Sequence, residues 1–154
     1  MNNWRAARVR ALGGRTWGSR LEDCVVVVDD SREFVENVRR ILNDAGFRVA
    51  TAEDGMSGLS LVRRIRPRVL ILDLLMPHMS GYEVVNAIRN DAALQGIAIA
   101  VVTGMARDEA ELHDMGRGAD LCLTKPVDEL RLLEFVRETF SSHAQDPGLL
   151  KHIR

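Results

Sequence analysis

The sequence predicts an α/β fold built on a doubly wound parallel sheet, and three observations carry that prediction. Five short strand-like segments recur along the chain, and four of them are apolar runs without polar alternation, the pattern of strands buried on both faces of a parallel sheet. Helix-period stretches separate them, so strand and helix alternate strictly. The four apolar runs also deliver a polar residue at or just beyond their ends: CVVVV before Asp29, VLIL before Asp73, IAIAVV before Thr103 and LCLT before Lys125.

In chain order, the first run leads into Asp29 and Asp30. Residues 31–45 then place Phe34, Val38, Ile41, Leu42 and Ala45 on one helical stripe, and Gly46 follows where a helix takes a left-handed stop. Residues 47–52 form a short strand, closed off by Asp54 and Gly55. Residues 56–66 are helical, with Leu59, Val62 and Ile65 on one side and Pro67 ending the helix. The strand at 69–72 delivers Asp73, and the loop LLMPHMSG leads to a helix at 82–89. A strand at 97–102 delivers Thr103, and a more polar helix follows at 106–115. Gly116 and Gly118 break it before the strand at 121–124, Lys125, Pro126 and a last helix near 127–140. In that helix Leu130, Leu133, Val136 and Phe140 share the expected core face. Phe135 points nearly the opposite way and is expected to be exposed, as an anchor for a partner or a second copy.

The bulk numbers fit one such domain. The chain has 154 residues, 46% of them apolar and 28% charged, ordinary values for a globular protein. No stretch reaches the roughly 20 apolar residues that a membrane span requires. The first twenty residues have no continuous apolar h-region, so no secretory signal is expected. Cys24 and Cys122 fall in separate predicted strands and give no disulfide framework, which points to a reducing cytoplasm. Net charge is −1, but residues 1–20 carry five arginines and no acid. That basic arm reads as a disordered extension rather than a nucleic-acid surface, because Gly13, Gly14 and Gly18 favour disorder. The expected organisation is an arm at 1–20, one domain at 21–142 and a short tail at 143–154.

A parallel sheet collects its functional groups at the carboxyl ends of its strands. Three acids, a hydroxyl and an ammonium therefore converge on one edge. Crowded acids call for a divalent cation, and Thr and Lys beside them suit a phosphoryl group. The spacings are 43 residues from Asp30 to Asp73, 30 from Asp73 to Thr103 and 22 from Thr103 to Lys125. With the segments VVVVDD, DLLMPHMSGYE, VVTG and GADLCLTKP, these anchors resemble the receiver domain of two-component response regulators.

That resemblance implies a flavodoxin-like strand order, 2-1-3-4-5. It implies that Asp73 accepts a phosphoryl group from a phosphohistidine on a sensor histidine kinase or phosphotransfer protein. Asp29, Asp30 and Asp73 with the backbone carbonyl of Leu75 would hold Mg²⁺, and Thr103 and Lys125 would meet the phosphoryl oxygens. The peptide bond before Pro126 would be cis. The output would be binding to a downstream protein target, with a homodimer through the last helix as a further expectation. On this basis the chain would be a phosphorylation-controlled binding module and not a turnover enzyme.

Two departures from the family pattern stand out. The position three residues before the lysine, usually Tyr or Phe, is Cys122, a small thiol that cannot make a large aromatic rotamer flip. Leu75 and Met105, two residues beyond Asp73 and Thr103, are apolar where the hydrolytic water would pass. Among alternatives, a phosphatase of the haloacid dehalogenase type needs a D-x-D motif, and the residue two after Asp73 is Leu75. A receiver segment of a larger hybrid kinase or regulator is compatible with everything in the sequence.

Overall fold

Strand β1 (Cys24–Val28) is entirely buried, and its residues divide between two cores. Val26 and Val28 face one side of the sheet, Val25 and Val27 the other. This is why the strand shows no polar alternation: a period of two sends successive side chains to opposite faces, and both faces are covered. The computed structural model describes residues 23–144, so the basic arm at 1–20 and the tail beyond 144 lie outside the described residues.

The other elements follow in the predicted alternation: α1 (Arg32–Asp44), β2 (Arg48–Ala52), α2 (Gly55–Ile65), β3 (Val69–Asp73), α3 (Gly81–Arg89), β4 (Ala98–Thr103), α4 (Glu109–Met115), β5 (Leu121–Thr124) and α5 (Glu129–Ala144). All pairings are parallel, in the order β2-β1-β3-β4-β5. On one face α2 and α3 bring Leu59, Val62, Val84, Val85 and Ile88 against the sheet. On the other, α1 and α5 bring Val35, Val38, Leu42, Leu132, Val136 and Phe140. The rings of Phe47 and Phe140 meet there, with centroids 5.2 Å apart.

Local chemistry fixes the helix starts. Ser31, Asp54, Ser80 and Asp108 are extended N-caps whose side chains accept N–H groups of Phe34, Ser57, Glu83 and Glu111. At α3 the cap is a full box, since Glu83 reaches back to the Ser80 N–H at 2.8 Å. Gly46 takes the expected left-handed conformation at φ 94°.

Two helix starts differ from the sequence expectation. Helix α4 begins at Glu109 rather than 106, because Asp108 is its extended cap. Helix α5 begins at Glu129 rather than 127, with the Asp128 carboxylate accepting the Arg131 N–H, and runs on to Ala144. The face of α5 also needs correction. Leu130, expected in the core, is 74% exposed, while Phe135, expected to be exposed, is partly buried against the α1–α5 core. Leu132, Leu133, Val136 and Phe140 form the buried stripe, and Leu130 and Phe135 lie on its two flanks, each roughly 100° from its centre. At such flanks the neighbouring elements decide burial, not the period. Phe135 therefore supplies no exposed anchor for self-association.

Candidate functional site

Strand register sets the site. Val28 pairs with Leu72, Asp73 with Val102 and Thr103 with Thr124, so β1, β3, β4 and β5 end nearly level. Asp29, Asp73, Thr103 and Lys125 consequently stand side by side at the carboxyl edge. The crevice between β1 and β3 is where the winding reverses, the position at which such sheets bind ligands.

The five residues singled out in the sequence converge as expected. Carboxylate oxygens of Asp29, Asp30 and Asp73 all lie within 4.8 Å of one another. Asp29 is fully buried and Asp73 nearly so, whereas Asp30 is exposed. Asp29 divides its two oxygens: Oδ1 accepts the Ser31 N–H at 2.8 Å and Oδ2 accepts Lys125 Nζ at 2.7 Å. Lys125 Nζ is also 3.6 Å from Asp73 Oδ2. The Lys125–Pro126 peptide bond is cis, and the Lys125 N–H donates to the Thr103 carbonyl at 3.0 Å. Thr103 is fully buried, and its hydroxyl accepts the Met105 N–H at 3.3 Å. Leu75 meets the site through its N–H, which donates to Asp73 Oδ1 at 3.2 Å.

Electrostatics in this cleft are unbalanced, with three acids facing one ammonium. Burial first, and then the charge of Asp29, push the Asp73 carboxyl above the ordinary carboxylate range, against the opposing pull of Lys125. A hard cation relieves such crowding, and an all-oxygen donor set with one exposed member, Asp30, fits an ion that keeps several of its waters. The acid trio therefore suits a divalent cation such as Mg²⁺.

Packing below Asp73 leaves no slack. A side chain added at Gly81, the first residue of α3, would strike the Asp73 carbonyl oxygen and come within 2.7 Å of Leu74 Cα. These are backbone atoms and cannot turn away. Gly81→Ala is expected to cost about 2–3 kcal/mol, the upper part of the usual range for overpacking. The same change should also displace the backbone that carries Asp73. Urea unfolding checks the first effect, and a loss below about 0.5 kcal/mol, the ordinary surface value, would refute the close approach.

The sequence did not single out Phe34 for the site. Its ring lies beneath Lys125, with Nζ 4.4 Å from the centroid. In the sequence Phe34 is one apolar residue of the α1 stripe; its place in the first turn after the acid pair was the available signal. His78, in the loop after Asp73, is exposed and adopts a left-handed φ of 66°. Cys122 is half-buried, 3.8 Å from the Gly116 carbonyl, and burial raises its thiol pKa. With Leu112, His113, Gly116 and Arg131 it lines a cavity of about 530 Å³ beside α4.

Comparison with known proteins agrees with this geometry. The family model of the response regulator receiver domain matches residues 25–137. Protein PilH of Pseudomonas aeruginosa is 31% identical over 112 residues, covering 73% of this chain and 93% of PilH. A response regulator receiver protein of Anaeromyxobacter sp. is 38% identical over 109 residues, covering 71% of this chain but only 45% of that longer protein. The crystal structure of Vibrio cholerae chemotaxis protein CheY4 superposes with a TM-score of 0.63 at 31% identity, covering 75% of this chain and 96% of that one.

Proposed function

The chain belongs to the response regulator receiver family, and from that premise we propose that it is phosphorylated on Asp73 by a partner histidine kinase or phosphotransfer protein and signals by phosphorylation-dependent binding to a protein target. The observation that carries this reading is the position of Asp73, which shares an acid trio with Asp29 and Asp30, one oxygen from each within 4.8 Å of the others, and has Lys125 Nζ 3.6 Å from its Oδ2. An Asp73 carboxylate oxygen attacks the phosphorus of the donor phosphohistidine; the O–P bond forms as the N–P bond breaks, and the imidazole leaves. Lys125 Nζ balances charge on the transferred oxygens. The Thr103 hydroxyl, already an acceptor for Met105, has its own proton to donate to a phosphoryl oxygen. Asp29, Asp30, Asp73 and the Leu75 carbonyl would hold a divalent cation, which would supply charge neutralisation for the incoming group. We read the chain as a binding module that carries its own phosphoacceptor, rather than a turnover enzyme. The chain spans nearly all of PilH and less than half of the Anaeromyxobacter protein, so beside the single-domain regulator a receiver within a larger regulator is the second reading.

The test is incubation with acetyl phosphate and Mg²⁺ followed by intact-mass analysis. One labile phosphoryl adduct that EDTA prevents is the expected result; no adduct, or one indifferent to EDTA, would refute the proposal.

The lifetime of the adduct is expected to be long. Leu75 and Met105 are 43% and 65% exposed, so both stand at the rim as apolar groups that cannot orient a water. Leu75→Asn with Met105→Glu is expected to speed phosphoryl loss about tenfold, a change of only about 1.4 kcal/mol in barrier. Unchanged decay would show that these positions do not set the lifetime.

A further inference from the structure

We infer that Phe34 is a positioning residue for Lys125, holding the ammonium over the site by the face of its ring. This rests on the receiver reading, since Lys125 matters as the group that meets the phosphoryl oxygens. Lys125 Nζ has three partners: Asp29 Oδ2 at 2.7 Å, Asp73 Oδ2 at 3.6 Å and the Phe34 ring at 4.4 Å from its centroid. The first two are carboxylates that the chemistry changes. Asp73 loses its charge when it becomes an acyl phosphate, and Asp29 belongs to the acid trio that would hold the cation. The ring alone offers an attraction that phosphorylation leaves intact, because its negative face draws an ammonium but offers a hard oxygen-seeking cation little.

Placement of the ring is built in. Asp29 Oδ1 accepts the Ser31 N–H at 2.8 Å, and Ser31 Oγ accepts the Phe34 N–H at 3.3 Å as the cap of α1. Phe34 then meets Lys125, and Lys125 returns to the other oxygen of Asp29. The four residues form a closed circuit, so the first turn of α1 fixes the ring relative to the acid that Lys125 pairs with. The rest of the ring packs on the core shared by α1 and α5, which limits its freedom. A leucine at position 34 would fill much of the volume but would attract no cation.

The test is binding of beryllium fluoride, a phosphoryl mimic, in saturating Mg²⁺. Phe34→Leu is expected to weaken binding about threefold to tenfold, the range of an ammonium–ring contact in a partly shielded site, and Phe34→Tyr to restore it. In a Lys125→Ala background, Phe34→Leu should have no further effect, because the ring acts through the ammonium. A metal-free readout accompanies these: in EDTA, the Lys125 Cε protons should show an upfield ring-current shift that Phe34→Leu removes. Equal binding by Phe34→Leu and the unaltered protein, an equal loss in the Lys125→Ala background, or no ring-current shift would each overturn the inference. Failure of the unaltered protein itself to bind beryllium fluoride would overturn the receiver reading, and the inference with it.

Discussion

Asp73→Asn is expected to abolish the acetyl phosphate adduct completely while making the metal-free protein more stable. The first effect follows from removing the carboxylate that lies at the end of β3, paired with Lys125 and across the crevice from Asp29 and Asp30. The second follows from the raised pKa of Asp73. A carboxyl that binds its proton more tightly in the folded state favours folding below the ordinary carboxylate pKa of about 4, and that contribution is lost as pH rises through the folded value. At neutral pH in EDTA the ionised Asp73 is therefore a net cost, which a neutral amide of the same shape removes. The melting temperature of Asp73→Asn should exceed that of the unaltered protein at pH 7 in EDTA, and the two should converge below about pH 4. Saturating Mg²⁺ should raise the unaltered protein more than the variant, by mass action on a fuller ligand set. An undiminished adduct in Asp73→Asn would remove Asp73 as the phosphoacceptor. A lower melting temperature for the variant in EDTA at pH 7 would show that the acids are not in conflict.

Lys125→Ala is expected to have the opposite effect on the metal-free protein. Asp29 is fully buried, and its Oδ2 has Lys125 at 2.7 Å. Removing one partner of a buried pair leaves an uncompensated charge, which costs about 3–5 kcal/mol in a dry interior. The polar, open side of this site places the expectation near about 3 kcal/mol. It also removes the pull that opposes the upward shift at Asp73, so the variant should recover part of its stability as pH falls. Mg²⁺ should restore stability as well, because the cation takes over the neutralisation. Urea unfolding in EDTA and in Mg²⁺ checks both effects. A cost below about 1 kcal/mol, as for a surface ion pair, would mean that water already compensates Asp29.

Much of this protein was legible from its sequence, for physical reasons that differ by residue. The strands were readable because a sheet covered on both faces leaves no polar position, so Val25 to Val28 could be nothing but apolar. The site was readable because the ends of parallel strands are level, which turns order along the chain into adjacency at one edge. Asp29, Asp73, Thr103 and Lys125 needed only that rule to meet. Periodicity alone places the starts of α4 and α5 at 106 and 127, ahead of Glu109 and Glu129, because the caps that fix helix starts, such as Asp108, act through local hydrogen bonds and not through the apolar period.

What the sequence could not determine lies where several elements compete for one side chain. Leu130 and Phe135 sit on opposite flanks of the α5 stripe, and periodicity ranks them almost equally. Only the packing of α5 beside α1 covers the one and leaves the other in water. Phe34 is the same case with a functional consequence. A stripe of apolar residues assigns it to the core, yet its ring also meets an ammonium carried in from residue 125, 91 positions away along the chain. The sequence by itself determined which residues reach the sheet edge, because strand order and spacing are properties of the chain. Only the tertiary structure decided which neighbour each flank residue touches, because that depends on how separate helices seat against one another.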